Sequence, residues 1–554
     1  MIKPVVLLVL DGWGLAPPGP GNAISLSNLT HIPYFWQNYP HTQLDASGEA
    51  VGLPSGEDGN TETGHINIGA GRVVYQDLPR ISMAISDGSF FTNDAFLSAQ
   101  SYSQSHESAI HIMGLLSDSG VHASRNHLYA LLTLFKNNQC VRPIYLHLFT
   151  DGRDSSPKAG LRFIREVEVM LKKIGIGKIA TIMGRYYAMD RDKRWERTAL
   201  AYECLTEMIS RRAKTSVEAI EESYEQNVTD EFIKPTIIVD NEGNPYPRIS
   251  THDAVIFFNY RIDRPRQLTR AFVLSDFETH IIKESFDPYA VKYHHKHIVE
   301  QESDRPAPFT RKIVLQDLFF VTMTEYEHNL PTVVAFPLQP IDMTLGRVLE
   351  TMKVRQLRVS ESEKERFVTY YFNGMHEVPF TQEDHLIIPS PNVATYDLKP
   401  EMSVFQITDR VLDRLVSDVY SFILINIANP DMVAHSGNIP AAIRACQITD
   451  ECVGKIARLV LSLGGTCIVT ADHGNVEEMI GANNEIDTEH STFPVPFILI
   501  NNQYEKRAIS LPNGKLADIA PTILAHMGIP IPTEMTGKNL LADIDVFDDA
   551  QHQS

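Results

Sequence analysis

Runs of apolar residues alternate along the chain with stretches of helical periodicity. The run "VVLLVL" at residues 5–10 predicts a strand that is buried on both faces, and "FILINI" and "GGTCIVT" near the C-terminus repeat the pattern. Between such runs, "EAIEESYEQN" and "AAIRACQITDECVGKIARLVLSLGG" predict helices, the second closed by a glycine pair. The alternation predicts an α/β fold.

Each of the three apolar strands ends in a carboxylate or an imidazole. The first is followed by Asp11, the second by Asp431, and the third by Asp472 and His473. In an open α/β sheet, ligands gather beyond the carboxyl ends of the strands. We therefore expect these side chains to meet at one edge of a sheet.

Their spacing suggests metal binding. Asp431 and His435 would share one helix face if a helix begins after Pro430, and His490 could supply a third ligand. A second set comes from the strand ends: Asp11, Asp472 and His473. Aspartate and histidine without cysteine suit Mn²⁺, Zn²⁺ or Mg²⁺, and oxygen-rich sets favour Mn²⁺. Taken singly, each motif is equally compatible with a helix start, a turn or a surface histidine.

The stretch "GLPSGEDGNTETGHINIGAG" at residues 52–71 has no hydrophobic period and carries Thr61 at its centre. Two metal sites close together would clamp a phosphoryl group and lower the pKa of a coordinated hydroxyl, so Thr61 could be a metal-activated nucleophile. Alternatively, the segment is an asparagine-capped helix start whose threonine hydroxyls satisfy backbone groups.

Composition limits the classes of function. A chain of 554 residues with 43% hydrophobic residues is too long for one core, which predicts two domains. The net charge of -20 argues against nucleic-acid or membrane-surface binding. Five cysteines without CxxC spacing suit a reducing compartment, and the N-terminal apolar run is too short for a signal sequence, so we expect a cytoplasmic protein.

An anionic substrate of such an acidic protein needs local cations, and the middle of the chain supplies them. The candidates follow apolar strands and turns: Asp151, Arg153, Asp154, Arg185, Arg191, Arg261 and Arg264. Arginine binds carboxylate and phosphate bidentately, and His122 could transfer a proton or hold a phosphate. The alternatives are solvated surface arginines and a structural histidine. Because the chemistry-bearing strands lie at both ends of the chain, the middle is expected to be an inserted domain.

These motifs together resemble a known family. From "LLVLDGWG" through "GNTETGHINIGAGRVVYQDL", "SDSGVHASRNH", "DGRD", "GRYYAMDRDKRWER", "FFNYRIDRPRQLTRAF", "SESEKERF" and "NPDMVAHSGN" to "TADHGN" and "HSTFPVPF", the chain closely resembles the cofactor-independent (2,3-bisphosphoglycerate-independent) phosphoglycerate mutases of the alkaline phosphatase superfamily. The motifs are long, keep the family's order and cover nearly the whole chain.

The resemblance implies a fold and a reaction. It implies an alkaline phosphatase-like three-layer α/β/α domain, residues 1–76 and 311–554, interrupted by an inserted α/β transferase domain, residues 77–310. The reaction interconverts 3-phosphoglycerate and 2-phosphoglycerate through a phosphoenzyme on Thr61, in glycolysis and gluconeogenesis. The implied enzyme is a cytoplasmic monomer with two divalent metal ions, Mn²⁺ favoured, and with no nucleic-acid or membrane partner.

The resemblance also assigns residues. One metal site comprises Asp431, His435 and His490, and the other comprises Asp11, Thr61, Asp472 and His473. The substrate shell comprises His122, Asp151, Arg153, Asp154, Arg185, Arg191, Arg261, Arg264 and Lys364, with Lys364 between the two domains.

The chain departs from the family pattern at the nucleophile, where Thr61 replaces serine. The extra methyl group restricts χ1 and crowds an in-line attack. Asp58 and Thr63 replace apolar residues, and Asn392 stands where the family often has lysine. Three hypotheses follow: an active mutase, a metal-dependent phosphatase or mutase for another phosphorylated hydroxy acid, and an inactive relative.

Overall fold

The computed structural model describes residues 3–207, 210–279, 307–338, 340–481, 483–507 and 509–542. The strands are β1 (Val5–Leu10), β2 (His41–Asp45), β3 (Ile110–Leu116), β4 (Ile144–Thr150), β5 (Lys178–Gly184), β6 (Arg211–Ala213), β7 (Thr236–Ile238), β8 (Ala254–Phe257), β9 (Phe319–Thr322), β10 (Val333–Val334), β11 (Gln356–Glu361), β12 (Glu383–Ile388), β13 (Phe422–Ile427), β14 (Thr466–Thr470), β15 (Val495–Ile500) and β16 (Gly514–Lys515).

The helices are α1 (Ala23–Leu26), α2 (His31–Asn38), α3 (Thr61–Ala70), α4 (Asp77–Asp87), α5 (Asp94–Ser105), α6 (Arg125–Asn137), α7 (Gly160–Ile174), α8 (Arg185–Ala188), α9 (Trp195–Thr206), α10 (Ser216–Glu225), α11 (Arg266–Val273), α12 (Leu345–Thr351), α13 (Val404–Val416), α14 (Asn429–Ala434), α15 (Ile439–Ser462) and α16 (Ile519–His526). None of those in the described part of the chain combines the length and apolar character needed to span a bilayer. The predicted α/β class is confirmed.

The chain forms two compact units. The first comprises Met1–Gln76 and Gln339–Ser554, and the second comprises Asp77–Leu338. The second boundary therefore follows residue 338, whereas the sequence suggested residue 310. The reason is that β9 pairs with β8 and β10 pairs with β9, so both strands extend the sheet of the second unit.

In the first unit, the sheet has the order β12-β11-β13-β1-β14-β15-β2-β16. Strand β1 lies at its centre, parallel to β13 on one side and to β14 on the other, and all six of its residues are buried. The apolar side chains of these strands form one hydrophobic core with the helices that pack on them. Since the three strands are parallel neighbours, their carboxyl ends share one edge.

The second unit repeats this logic. Its sheet has the order β10-β9-β8-β3-β4-β5-β7-β6, with the central strands β8, β3, β4 and β5 all parallel. A separate core surrounds it. The loops after these four strands carry the arginines and aspartates that the sequence singled out.

Candidate active site

The edge of the first sheet brings three carboxylates together. Asp11, Asp431 and Asp472 follow β1, β13 and β14, and all three are almost completely buried. The short helix α14 begins at Asn429, two residues earlier than expected, because Pro430 occupies its first turn. Asp431 and His435 still share a face, with His435 Nε2 lying 3.2 Å from Asp431 Oδ1.

Thr61 is the first residue of α3, and its hydroxyl points at these groups. Its Oγ1 donates to Asp11 Oδ1 at 3.3 Å and lies 3.0 Å from His473 Nε2. The Asn60 side chain caps the helix by accepting from the Thr63 amide, so the capping interpretation also describes this segment. A Cβ at Gly64 would lie 2.5 Å from Asp472 Cβ, so glycine lets the first turn of α3 approach the sheet edge.

Lys364 belongs to the first unit, on the turn Ser362–Lys364 that follows β11, and is buried. Its ammonium donates to Asp11 Oδ1 at 2.8 Å, to Asp431 Oδ2 at 2.8 Å and to Thr61 Oγ1 at 3.0 Å. The resemblance placed Lys364 in the substrate shell between the domains. Its contacts are instead with the candidate nucleophile and two candidate metal ligands.

The histidines complete two overlapping groups of metal-ligating atoms. In each group the ligand atoms lie within 4.8 Å of one another: Asp431, His473 and His490 in one, and Asp11, Asp472 and His473 in the other. His473 is thus common to both, whereas the sequence paired His435 with Asp431 and His490. His435 Nε2 lies 3.3 Å from His490 Nε2, on the outer side of the first group.

The residues present fit divalent cations. Asp472 Oδ2 is buried and accepts no hydrogen bond from any described residue, although His65 Nδ1 lies 3.3 Å away. Burial would raise the pKa of Asp472, but His473, His65 and Lys364 lower it to about 2, so this carboxylate is ionised and can ligate a cation. Carboxylate oxygens mixed with imidazole nitrogens are ligands of Mn²⁺, Zn²⁺ and Mg²⁺.

Strong electrostatic coupling marks the cluster. Burial opposes the charge on His473, but Asp472, Asp11 and Asp431 raise its pKa to about 9. In the same way, the carboxylates raise the pKa of Lys364 above its usual range against the effect of burial. Although burial alone would raise the pKa of Asp431, Lys364 and His435 hold it well below its usual range. Asp431 is therefore ionised, and the negative charge of the cluster holds protons on His473 and Lys364.

His490 differs from the other histidines. Burial, together with the nearby positive charge of His473, lowers the pKa of His490 to about 3. Its Nδ1 donates to the Gly59 carbonyl at 2.8 Å, which leaves Nε2 with a lone pair facing Asp431 at 3.6 Å. A neutral imidazole held in this tautomer is ready to ligate a cation.

Polar residues that the sequence analysis missed support the carboxylates. The Nδ2 groups of Asn426 and Asn475 donate to Asp11 Oδ2 and Asp431 Oδ1 at 2.7 and 2.8 Å. Glu477 accepts from the backbone amides of Gly14 and Asn475 at 2.8 and 3.0 Å. Asn426 sits within an apolar strand, where the hydrophobic pattern gives no sign of its partner. Asn475 and Glu477 follow "DHG" directly, so their position beside a ligand motif was the available signal.

Asp58 and Asn392 are two of the residues that depart from the family pattern. Asp58 is half-buried, and burial together with the carboxylates of Glu489 and Asp487 raises its pKa. It thus faces the loop that carries His490. Asn392 is exposed.

In the second unit, Arg185 organises one half of the predicted substrate shell. The buried guanidinium donates through Nη1 to Asp151 Oδ1 at 2.6 Å and to Asp154 Oδ2. Through Nη2 it contacts His122 Nε2 at 3.1 Å. Burial, aided by the nearby arginines, lowers the pKa of His122 to about 3, so His122 is neutral and accepts the arginine proton.

The other half of this shell is built around Asp263, which the sequence analysis missed. Asp263 Oδ2 accepts from Arg191 Nη1 at 2.6 Å, and Asp263 Oδ1 lies 3.3 Å from Arg261 Nε. Arg264 Nη1 donates to the Met189 carbonyl at 3.1 Å. Arg153 is more exposed and lies 3.7 Å from Glu231. The motif "RIDR" was the signal, since its aspartate stands between two of the predicted arginines.

This cluster carries more positive than negative charge. Burial and the neighbouring cations Arg185 and Arg191 lower the pKa of Arg264 to about 10. A bound anion would stabilise the charge of this guanidinium, so the surroundings of Arg264 favour anion binding.

Comparison with known proteins gives one consistent group of relatives. Residues 81–328 match the family model described as the BPG-independent PGAM N-terminus. A 2,3-bisphosphoglycerate-independent phosphoglycerate mutase of Chloroflexus aggregans is 48% identical, with 97% of this chain and 98% of the relative covered. Those of Moorella thermoacetica and Clostridium beijerinckii are 48% and 46% identical, with coverage of 97% and 98% of this chain and 98% and 99% of each relative.

A solved structure agrees with these relatives. The phosphoglycerate mutase of Leishmania mexicana, crystallised at low cobalt concentration, is 27% identical over 97% of both chains and superposes with a TM-score of 0.59.

Proposed function

This chain belongs to the 2,3-bisphosphoglycerate-independent phosphoglycerate mutases, and from that premise we propose that it interconverts 3-phosphoglycerate and 2-phosphoglycerate through a phosphothreonine at Thr61. The observation that carries the proposal is the environment of the Thr61 hydroxyl. Its Oγ1 lies within 3.3 Å of a carboxylate, an imidazole and an ammonium group, at the N-terminus of α3. An anion is stabilised at such a helix end.

In the forward transfer, Thr61 Oγ1 forms a bond to phosphorus while the bond from phosphorus to the substrate oxygen breaks. Asp11 Oδ1 accepts the hydroxyl hydrogen bond and is placed to take that proton. The Lys364 ammonium, 3.0 Å from Oγ1, offsets the negative charge of the transferred group. The glycerate oxygen takes up a proton as it leaves, and the proton held by Asp11 balances this step. In the reverse transfer, the other glycerate hydroxyl loses its proton, bonds to phosphorus and releases the Thr61 oxygen, which regains a proton, so the isomerisation is completed without free phosphate.

We further propose two divalent cations, with Mn²⁺ favoured. One would be held by Asp431, His473 and His490 with His435 at the outer side, and the other by Asp11, Asp472 and His473 with Thr61. Bound there, such ions would lower the pKa of the Thr61 hydroxyl and neutralise phosphoryl charge. The two groups of clustered aspartate and histidine ligand atoms support this assignment.

For substrate binding we propose the cluster of the second unit. Arg185, Arg191, Arg261 and Arg264 would bind the anionic groups of phosphoglycerate, with Arg153, His122, Asp151 and Asp154 completing the shell. The burial and the neighbouring cations Arg185 and Arg191 that lower the pKa of Arg264 support this role. A place in glycolysis and gluconeogenesis, a cytoplasmic location and a monomeric state follow from the family resemblance as parts of the same proposal.

The test is turnover of 3-phosphoglycerate by the purified protein with Mn²⁺ and without 2,3-bisphosphoglycerate, with free phosphate measured in the same tube. We expect 2-phosphoglycerate without phosphate release, loss of activity in Thr61→Ala, and normal activity in the matched control Thr408→Ala. Thr408 is also a buried helical threonine of the first unit, and its hydroxyl donates to the Val404 carbonyl of α13 at 2.8 Å. Phosphate without isomer would indicate a phosphatase, and no turnover by metal-loaded protein would indicate an inactive relative.

A further inference from the structure

Asn426 is a fully buried amide inside the apolar strand β13. It pairs in register with Val9 of β1, which places its side chain near Asp11, the residue that follows β1. Its Nδ2 lies 2.7 Å from Asp11 Oδ2 and 3.2 Å from His65 Nε2. Burying an amide in an apolar strand costs free energy unless the amide is hydrogen-bonded, so the contacts with Asp11 and His65 indicate a specific role for Asn426.

The hydrogens of this group can be assigned from their acceptors. His65 Nδ1 lies 2.9 Å from the Thr61 carbonyl oxygen, which can only accept, so the ring proton is on Nδ1. His65 Nε2 then carries a lone pair and accepts from Asn426. The two amide hydrogens of Asn426 therefore serve two different acceptors, the Asp11 carboxylate and the His65 ring.

The two carboxylate oxygens of Asp11 therefore have different partners. Oδ2 is held by Asn426, whereas Oδ1 faces Lys364 Nζ at 2.8 Å, Thr61 Oγ1 at 3.3 Å and His473 Nε2 at 3.4 Å. Through His65, the same amide is linked to the backbone of Thr61. Asn426 thus connects the candidate nucleophile and its carboxylate partner by one side chain.

Asn475 stands in the same relation to the other carboxylate. Its Nδ2 donates to Asp431 Oδ1 at 2.8 Å, and its Oδ1, like that of Asn426, is buried and accepts no hydrogen bond from a described residue. In both residues the amide nitrogen donates to a candidate metal-ligating carboxylate while the buried amide oxygen accepts no hydrogen bond in the described part of the chain.

We propose that Asn426 is a positioning residue for phosphoryl transfer, a role that rests on the proposed function. It orients Asp11 so that Oδ1 faces the cation site and, through the Nδ1–H tautomer of His65, fixes the first turn of α3 that carries Thr61. Residues that orient metal ligands in this way change metal affinity or activity by about 10–100-fold when they are replaced.

Asn426→Leu and Asn426→Ala both remove the donors, the first with nearly conserved volume and the second without added bulk. A matched control is Asn373→Ala. Asn373 is also buried in the first unit and also donates to a carboxylate, at 2.9 and 3.0 Å from the Glu383 oxygens, away from the site. Mn²⁺ affinity is measured by the electron paramagnetic resonance signal of free Mn²⁺, alongside kcat and KM at saturating Mn²⁺.

We expect both Asn426 variants to bind Mn²⁺ about 10–100-fold more weakly than the wild type. Their kcat should fall by a larger factor than their KM changes. The Asn373 variant should keep the wild-type affinity for Mn²⁺. Folded Asn426 variants with wild-type affinity and kcat would overturn the inference. If the wild type binds Mn²⁺ but does not isomerise phosphoglycerate, the proposed function fails while the affinity comparison still decides the role of Asn426.

A measurement on the unaltered protein removes the dependence on folded Asn426 variants. ¹⁵N nuclear magnetic resonance of histidine-labelled protein reports the tautomer of His65, assigned by difference from His65→Gln. A proton on Nδ1 supports the inference. A proton on Nε2 would overturn it, because Nε2 could not then accept from Asn426.

Discussion

Replacing Lys364 by methionine removes the ammonium that lies between two buried carboxylates while keeping much of the side-chain volume. The ammonium lies 2.8 Å from both Asp11 Oδ1 and Asp431 Oδ2. At an effective dielectric constant of 20, one such contact is worth roughly 6 kcal/mol before desolvation is subtracted. Breaking a buried ion pair by removing one partner costs about 3–5 kcal/mol net.

Protonation limits this loss. A carboxylate left without its cation can take up a proton, and each unit by which its folded-state pKa rises corresponds to about 1.4 kcal/mol. A carboxylate whose pKa is raised in the folded variant lowers the unfolding free energy of that protein as the pH rises from the ordinary pKa to the raised one. The wild-type contribution of Lys364, whose pKa is raised, is constant below pH 10.5, the ordinary pKa of lysine. The stability gap between the two proteins should therefore be larger at pH 8 than at pH 5.

The assay is urea unfolding of metal-free protein in EDTA, followed by circular dichroism at both pH values. Lys455→Met is the control, because Lys455 pairs with Glu451 at 2.7 Å on the exposed surface of the same unit, where an ion pair contributes little. We expect Lys364→Met to lose about 3–5 kcal/mol at pH 8 and less at pH 5. A Lys364 variant as stable as the Lys455 variant at pH 8 would refute the reasoning.

Three further outcomes are expected. Thr61→Ser should keep isomerisation because the hydroxyl remains, and a Thr61→Ser protein without turnover would contradict the nucleophile assignment. The apparent Mn²⁺ affinity should rise by about tenfold per pH unit from pH 6.5 to 9, because His473, with a pKa of about 9, must lose its proton to ligate, whereas a flat titration would contradict this. Burial raises the pKa of Glu361 from 4.5 to about 7, so its ionisation destabilises the wild type as the pH rises through that range. The unfolding free energy of Glu361→Gln minus that of the wild type should therefore be about 3 kcal/mol larger at pH 8 than at pH 5. An equal difference at both pH values would count against this assignment.

The sequence pattern predicted the sheet edge well because the information is local. The apolar runs that became β1, β13 and β14 are each followed within four residues by an aspartate, and parallel strands bring such residues together. The helix α15 was equally visible, since its apolar period continues to a glycine pair. In these segments the pattern of one stretch is enough to fix its role.

Lys364 and Asn426 show where local patterns are insufficient. Lys364 lies in the polar run "SESEKERF", which by itself is typical of a solvated surface, yet it is buried because three carboxylates from distant segments surround it. Asn426 interrupts an apolar strand, and its partners Asp11 and His65 are hundreds of residues away in the chain. The second domain boundary was misplaced for the same reason, because strand pairing of β9 and β10 is decided by the sheet and not by nearby residues.

The central claim is that the Thr61 hydroxyl carries the phosphoryl group during turnover. The most direct measurement is mass spectrometry of peptides from Mn²⁺-loaded protein that has been mixed with 3-phosphoglycerate and quenched in acid within its first turnovers. We predict a phosphorylated peptide with the modification on Thr61, absent without substrate and absent from Thr61→Ala. Isomerisation of 3-phosphoglycerate by a protein in which Thr61 is never phosphorylated would contradict the account.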